Sequence, residues 1–153
     1  MAVPNKLYTE VLQFYAEQMQ ALDSRNFAFY AGTFTEDGEF THSPDLPAAR
    51  GPLDIRRTLE DFHRAKFGDQ PVQRRHWFNH VVLEALDDGA VKSTCYALVI
   101  TTRPGTPPEI TPSCVVHDVL VQRDGALRMQ SRRVDHDGDL AASTAPAPAE
   151  SVR

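Results

Sequence analysis

The order of apolar and polar residues divides the chain into a helical first half and a strand-rich second half. From Tyr8 to Leu22 the apolar side chains recur at three- and four-residue steps, which predicts a helix with one buried face. Clustered aromatic residues predict a short second helix from about Phe27 to Gly32, and Phe40 to His42 is typical of a short strand. Ser43 to Gly51 carries prolines and is typical of a loop, and Pro52 starts a third predicted helix that runs to about Lys66.

Beyond this helix, apolar and β-branched residues dominate four long segments, each of which predicts a strand. The segments are Val72 to Leu86, Val91 to Thr102, Ser113 to Arg123 and Ala126 to Asp135. The pairs Asp88-Gly89 and Asp124-Gly125 are typical of tight hairpin turns, so the first two strands and the last two are expected to pair antiparallel.

Helices followed by long strands indicate an α+β fold in which a curved antiparallel sheet forms a cone and the N-terminal helices pack on its concave side. The open mouth of such a cone is a natural place for a small-molecule site. We expect one domain over residues 1–139, followed by a disordered tail over residues 140–153, which are rich in alanine, proline and serine.

Charge and cysteine content narrow the class of protein. The net charge is -5 and the basic residues form no cluster longer than a pair, which argues against nucleic-acid binding. The N-terminus lacks the pattern of a signal peptide and no apolar stretch is long enough to cross a bilayer, so we expect a soluble, cytoplasmic protein. Cys95 and Cys114 lie in apolar segments, where we expect buried thiols rather than a disulfide.

Asp23 is the strongest chemical anomaly, because it falls on the apolar face of the first predicted helix. Either Asp23 caps the helix that follows, or it is buried and needs a partner. His76, at the start of the strand region, is our candidate partner. A carboxylate that fixes the tautomer of an imidazole makes that imidazole a general base without any metal or cofactor.

Further residues are candidates for the same site. One of Arg132 and Arg133 must face inward on a strand, where an arginine can stabilise an oxyanion, and His117 shares its face with apolar neighbours. The predicted substrate-binding residues are Tyr15, Met19, Tyr30, His42, Phe78, His80, Tyr96 and His117. The spacing of His76 and His80 also suits zinc, with His117 as a third ligand, but no complete ligand set is evident and we expect neither a metal nor a cofactor.

Three segments carry a resemblance to a known family. With ALDSRNF closing the first helix, RRHWFNHVVLE opening the strands and RDGALRMQSRRVDHDGD closing them, the chain from about Tyr8 to Asp139 resembles the SnoaL-like branch of the nuclear-transport-factor-2-like superfamily. This resemblance implies a cystatin-like α+β barrel. Scytalone dehydratase, bile-acid 7-alpha-dehydratase and hexachlorocyclohexane dehydrochlorinase belong to that branch, and their catalytic Asp and His correspond to Asp23 and His76, while the arginine of the dehydrochlorinase corresponds to Arg132 or Arg133.

The resemblance implies a dehydratase or cyclase that acts on a small, mainly apolar carbonyl or polyketide-type metabolite. Two departures, Gln18 in place of a lysine or tyrosine and Thr101 near the place of a second histidine, leave open a non-catalytic ligand-binding or scaffold protein. A ketosteroid-isomerase-like enzyme is a third alternative, with Glu39 or Asp45 as its base.

The resemblance also implies a homo-oligomer, and we expect a dimer or a trimer. We place the contact on the convex face of the sheet. The apolar residues predicted to point outward there are Val91, Ala97, Val99 and Val121.

Overall fold

The computed structural model describes residues 2–42 and 45–144 as four helices around one six-stranded sheet. The elements are α1 (Asn5–Asp23), α2 (Phe27–Gly32), β1 (Phe34–Thr41), β2 (Ala49–Arg50), α3 (Gly51–Phe67), β3 (Gln73–Ala85), β4 (Val91–Thr102), β5 (Glu109–Arg123), β6 (Ala126–His136) and α4 (Asp137–Thr144).

The strands lie in the order β2-β1-β6-β5-β4-β3. Both hairpins predicted from the Asp-Gly turns are present, since β3 pairs with β4 and β5 pairs with β6, each antiparallel. The predicted α+β fold with a curved sheet is therefore confirmed. One pair departs from the antiparallel expectation, because β1, which follows α2, runs parallel to its neighbour β6.

Two helices cover the inner face of the sheet from its two ends. α1 buries Val11, Tyr15 and Met19 and contacts β3, while α3 buries Ile55 and Leu59 and contacts β1. Each fully buried apolar side chain of this size contributes roughly 1.5 to 3 kcal/mol to folding. No helix in the described ranges has the length and apolar character needed to cross a bilayer.

The orientation predicted for β4 is wrong. Val91, Ala97 and Val99 are buried and share the face of the core residue Cys95, so they do not point outward. Val121 of β5 is also buried, although it follows the inward Leu120 and pairs with Arg128. Both faces of β4 carry apolar residues, so hydrophobicity alone does not identify the inner one. The large apolar side chains exposed on the outer side of the sheet are instead Trp77, Val82, Tyr96, Leu98 and Ile110.

Some boundaries also differ from prediction. β1 begins at Phe34 rather than Phe40, and the predicted loop before α3 contains the short strand β2. Ser43 and Pro44, from the same loop, lie outside the described residues. Residues 140–144, which we expected to begin a disordered tail, complete helix α4, and the expectation for residues 145–153 lies outside the described residues.

Candidate functional site

Asp23 and His76 meet at the end of α1 and the start of β3. The carboxylate Oδ1 of Asp23 lies 2.6 Å from Nδ1 of His76, and both carboxylate oxygens accept the backbone N–H of His76 at 3.2 and 3.3 Å. That N–H is available because β3 is an edge strand of the sheet. The side chains of His76 and Asp23 are only 14% and 11% exposed, so the pair predicted from the sequence is present and largely shielded from solvent.

The alternative role of Asp23 as a helix cap is not observed. The residue that caps α2 is Asn26, whose side chain accepts the backbone N–H of Phe29 at 3.1 Å. The carboxylate of Asp23 points to the sheet instead.

The hydrogen bond assigns the tautomer of His76. A carboxylate accepts hydrogen bonds, so Nδ1 of His76 must donate and carries the ring proton. Nε2 then holds a lone pair and has no hydrogen-bond partner among the described residues, and it is not one of their fully enclosed polar atoms. This nitrogen is therefore free to accept a proton.

A buried ion pair lies on the same inner face. The guanidinium of Arg132 donates two hydrogen bonds to Asp118, at 2.9 and 2.8 Å, and a third to the hydroxyl of Tyr30 at 3.1 Å. Burial lowers the pKa of Arg132, but attraction to Asp118 outweighs it and the pKa is raised well above its usual value. The guanidinium also lies 5.0 Å from the ring centroid of Phe78 and so supports the wall beside His76.

Tyr15 extends this ion pair into a network. Its hydroxyl lies 2.7 Å from Asp118 Oδ2 and 2.7 Å from Ser93 Oγ. Burial, followed by the charge of Asp118, raises the pKa of Tyr15 well above its usual value, so the phenol stays protonated. Because its hydroxyl is committed inside the network, Tyr15 positions Asp118 and is not free to bond a ligand.

The structure corrects the orientation predicted for His117 on β5 and settles which arginine of β6 points inward. Asp118, and not His117, is the inward residue of its pair, since it alternates with the buried residues Val116 and Leu120. His117 points to the outer side, where Nε2 lies 3.2 Å from Asp135. Arg133 pairs there with the same aspartate and is well exposed, so Arg132 is the inward arginine.

His80 and Tyr96 also lie on the outer side of the sheet, contrary to the prediction that they contact substrate. A bulge between Asn79 and Val82 places His80 at φ 53° and reverses the alternation, so that Val81 points inward. The rings of His80 and Tyr96 pack edge to face, with their centroids 5.8 Å apart. His76 and His80 therefore face opposite sides of the sheet and do not form the zinc pair that their spacing allows.

His42, at the end of β1, faces the inner side together with His136. The two ring centroids are 5.9 Å apart, and the ring centroid of Phe62 on α3 lies 5.3 Å from that of His42. Burial, followed by the charges of His136, Arg74 and nearby cations, lowers the pKa of His42 to about 4. His42 is therefore a neutral hydrogen-bonding group at neutral pH.

The remaining predicted residues have structural surroundings. Met19 and Tyr30 are buried in the core, and Phe78 packs against it. Gln18 is fully buried and its amide donates to Thr33 Oγ1 at 2.8 Å, so it does not reach the dyad. In the described ranges no three His, Cys, Asp or Glu side chains lie close enough together to hold a metal ion.

A wide cleft of about 1220 Å³ opens beside the dyad, between the end of α1, residues 69–73 and the loop over residues 102–106. Asp23 lies on its wall, but His76, Phe78 and His42 do not. His76 and His42 lie instead on the inner face of the sheet, where the charge of His76 is among the smaller causes, after burial, of the lowered pKa of His42.

Comparison with known proteins supports a common architecture. Residues 6–133 match the family model described as the SnoaL-like domain. ActVI-ORFA from Streptomyces coelicolor is 54% identical over 88% of this chain and 99% of that protein, with a TM-score of 0.83. A Catenulispora acidiphila protein in complex with S-DNPA is 44% identical over 91% of this chain and 99% of its own, with a TM-score of 0.83.

A more distant structure shares the fold. An NTF2-like protein with a cystatin-like fold from Novosphingobium aromaticivorans is 19% identical over 89% of this chain and 86% of that one, with a TM-score of 0.74. No curated protein matches the sequence.

Proposed function

Because the chain belongs to the SnoaL-like domain family, we propose that it is a dehydratase or cyclase that uses the Asp23–His76 pair as a general base. The resemblance noted in the sequence is confirmed by that family match, and the 2.6 Å hydrogen bond between the two residues carries the mechanistic proposal. It leaves Nε2 of His76 as a basic atom with a fixed direction in a partly enclosed site.

In the proposed reaction, Nε2 of His76 takes a proton from a carbon next to a carbonyl group of the substrate. The electron pair of the broken C–H bond moves to the carbonyl oxygen and forms an enolate, while Asp23 stabilises the imidazolium. Neutral His42 donates its N–H to that oxygen, as a neutral imidazole does when it polarises a carbonyl.

Two outcomes complete the reaction. In a dehydration, the enolate expels a β-hydroxyl group, the imidazolium of His76 returns its proton to that group, and water leaves. In a cyclisation, the enolate carbon attacks a second carbonyl within the substrate, and the imidazolium protonates the new alkoxide. Both outcomes return His76 to its starting tautomer, so the cycle needs no external oxidant or reductant.

The shape and polarity of the site favour a small aromatic or polycyclic carbonyl compound. Phe40, Phe62 and Phe78 provide apolar surface around His42 and His76, which suits flat apolar ligands with few polar groups. The relative from Catenulispora acidiphila holds S-DNPA, which supports a small-molecule ligand here as well.

Replacement of ActVI-ORFA by this chain in Streptomyces coelicolor tests the proposal in a cell. In a Streptomyces coelicolor strain that lacks ActVI-ORFA, we expect this chain to restore the metabolite profile, measured by mass spectrometry. The variants His76→Ala and Asp23→Asn should fail to do so, while the outward-facing control His80→Ala should succeed. Restoration by His76→Ala would reject catalysis and favour the ligand-binding alternative.

An isomerase with a carboxylate base receives less support. Glu39 forms an ion pair with Arg50 at 2.7 Å on the exposed side of β1 and β2, and its side chain is 42% exposed. It is therefore paired with a cation and partly exposed to solvent, rather than enclosed in an apolar site.

A further inference from the structure

Arg74 lies on the inner side of β3, two residues before His76. It is half-buried opposite the buried Thr101 of β4, and its guanidinium lies 5.2 Å from the ring centroid of Phe67. In the described ranges its side chain has no hydrogen bond and no ion pair, and its Nε is enclosed without a partner. A buried donor without an acceptor is costly, so this position suits an acceptor brought by a ligand.

The surroundings of Arg74 are cationic although the chain as a whole is acidic. Arg74 lowers the pKa of His42, His63 and Lys66, with burial as the larger cause in each case. Lys66 makes contacts with aromatic rings and, among the described residues, has no carboxylate partner. The nearby carboxylate of Asp23 is already held by His76.

We propose that Arg74, assisted by Lys66, binds a carboxylate group of the substrate at the mouth of the cone, beside the apolar surface that holds the rest of the molecule. The substrate class is thus an aromatic or polycyclic keto acid. A guanidinium presents two parallel N–H donors that match the two oxygens of a carboxylate. The placement fixes one end of the substrate so that a distant carbon lies at His76.

The other inward arginine cannot take this role. Arg132 is 2% exposed and its donors are occupied by Asp118 and Tyr30, so a ligand would have to break a buried ion pair to reach it. Arg74 therefore deepens the proposed function by supplying a carboxylate anchor, a role different from the oxyanion stabilisation expected of Arg132 or Arg133. The identification of the bound acid as a substrate rests on the proposed function, whereas the binding of an acid at Arg74 does not.

Binding of a charged and a neutral probe of equal shape tests the assignment. We compare 2-naphthoate with 2-naphthamide by isothermal titration calorimetry. The wild-type protein should bind the acid at least about tenfold more tightly than the amide. Arg74→Gln should reduce the difference to less than about twofold, while Arg74→Lys, which keeps the charge, should retain part of it.

Arg75→Gln is the matched control, because the neighbouring side chain is exposed and, among the described residues, bonds only to Gln73 and to the backbone of Arg74. It should keep the preference of the wild type. Equal affinity of wild-type protein for acid and amide, or a full preference in Arg74→Gln, would overturn the assignment. Circular dichroism at increasing temperature verifies that each variant is folded.

The two proposals fail separately. His76→Ala should bind 2-naphthoate as the wild type does, since the base is not part of the anion site. If His76→Ala is inactive but the acid is not preferred, the anchor is wrong and the general base stands. If the preference is present and depends on Arg74 while His76→Ala remains active, the base is wrong and the anchor stands.

Discussion

Asp118 and Arg132 are directly opposite each other on β5 and β6, and the guanidinium of Arg132 donates a hydrogen bond to each carboxylate oxygen of Asp118. Their side chains are 0% and 1% exposed, so neither charge has access to water. Breaking such a pair leaves an uncompensated buried charge. We expect Arg132→Met to lower the free energy of unfolding by about 3 to 5 kcal/mol in urea titrations.

The neighbouring arginine provides the control for that measurement. Arg133 is 59% exposed and, within the part of the chain that the structure describes, pairs only with Asp135, so Arg133→Ala should change the stability by no more than about 0.5 kcal/mol. The double variant Arg132→Met/Asp118→Leu should recover part of the loss, because it removes both charges. Equal effects of the two arginine substitutions would contradict a special role for the buried pair.

The proposed base can be measured without its natural substrate. The compound 5-nitrobenzisoxazole opens to a coloured phenolate when a base removes one proton from carbon and the N–O bond breaks. If it reaches His76, His76→Ala should lower the rate by about a hundred- to ten-thousand-fold, and Asp23→Asn by a comparable factor. His80→Ala should react like the wild type, and the same rate in His76→Ala would show that another group is the base.

Stability should depend on pH through His42. Because burial lowers its pKa from 6.5 to about 4, the folded protein favours the neutral ring and the unfolded chain binds the proton more readily between these values. The free energy of unfolding is therefore unaffected by this group above pH 6.5. It decreases by roughly 2 to 3 kcal/mol as the pH falls toward 4. His42→Phe retains the ring contacts and should flatten this acid slope in denaturation at a series of pH values.

Both thiols should react slowly in the folded protein. Burial raises the pKa of Cys95 to about 12 and that of Cys114 to about 11, and both are free. Only the thiolate is nucleophilic. Iodoacetamide at pH 8 should therefore modify neither residue in the native protein and both after denaturation in urea, as measured by intact mass; rapid native labelling would show that the core opens.

The interface of the expected homo-oligomer must involve residues other than the buried valines and alanine first predicted for it. The exposed side chains on the outer side of the sheet include Trp77 at 61% and Tyr96 at 58%. If copies associate through this side, Trp77→Glu should lower the mass measured by light scattering after size-exclusion chromatography. His63→Glu, on α3, is the control, and an unchanged mass in both variants would place the contact elsewhere.

The sequence predicted the elements and Asp23 from local signals, whereas His76 was identified as its partner through the family resemblance. Helix periodicity, Asp-Gly turns and one carboxylate on an apolar helix face are visible without long-range contacts. The parallel contact of β1 with β6 was not predictable in this way, since it joins segments about ninety residues apart whose composition does not specify a partner.

Side-chain orientation was the weaker prediction, for two physical reasons. The bulge after Asn79 shifts the alternation by one residue and turns His80 outward, and nothing in the local sequence marks it. On β5 both His117 and Asp118 have apolar neighbours at alternate positions, so the local pattern did not decide which of them points inward. Asp118 is stabilised there by Arg132 from the next strand, a contact that the alternation along one strand does not reveal.

The carboxylate of Asp23 also occupies the backbone amide of His76 on the outermost strand of the sheet. An unoccupied amide on such a strand is a template on which a foreign chain can assemble. Loss of the carboxylate at position 23 would consequently have two effects. The imidazole of His76 would lose its hydrogen-bond acceptor, and the exposed edge strand would favour aggregation. Asparagine separates these two effects, because its amide oxygen still accepts a hydrogen bond from the backbone N–H of His76 but carries no negative charge.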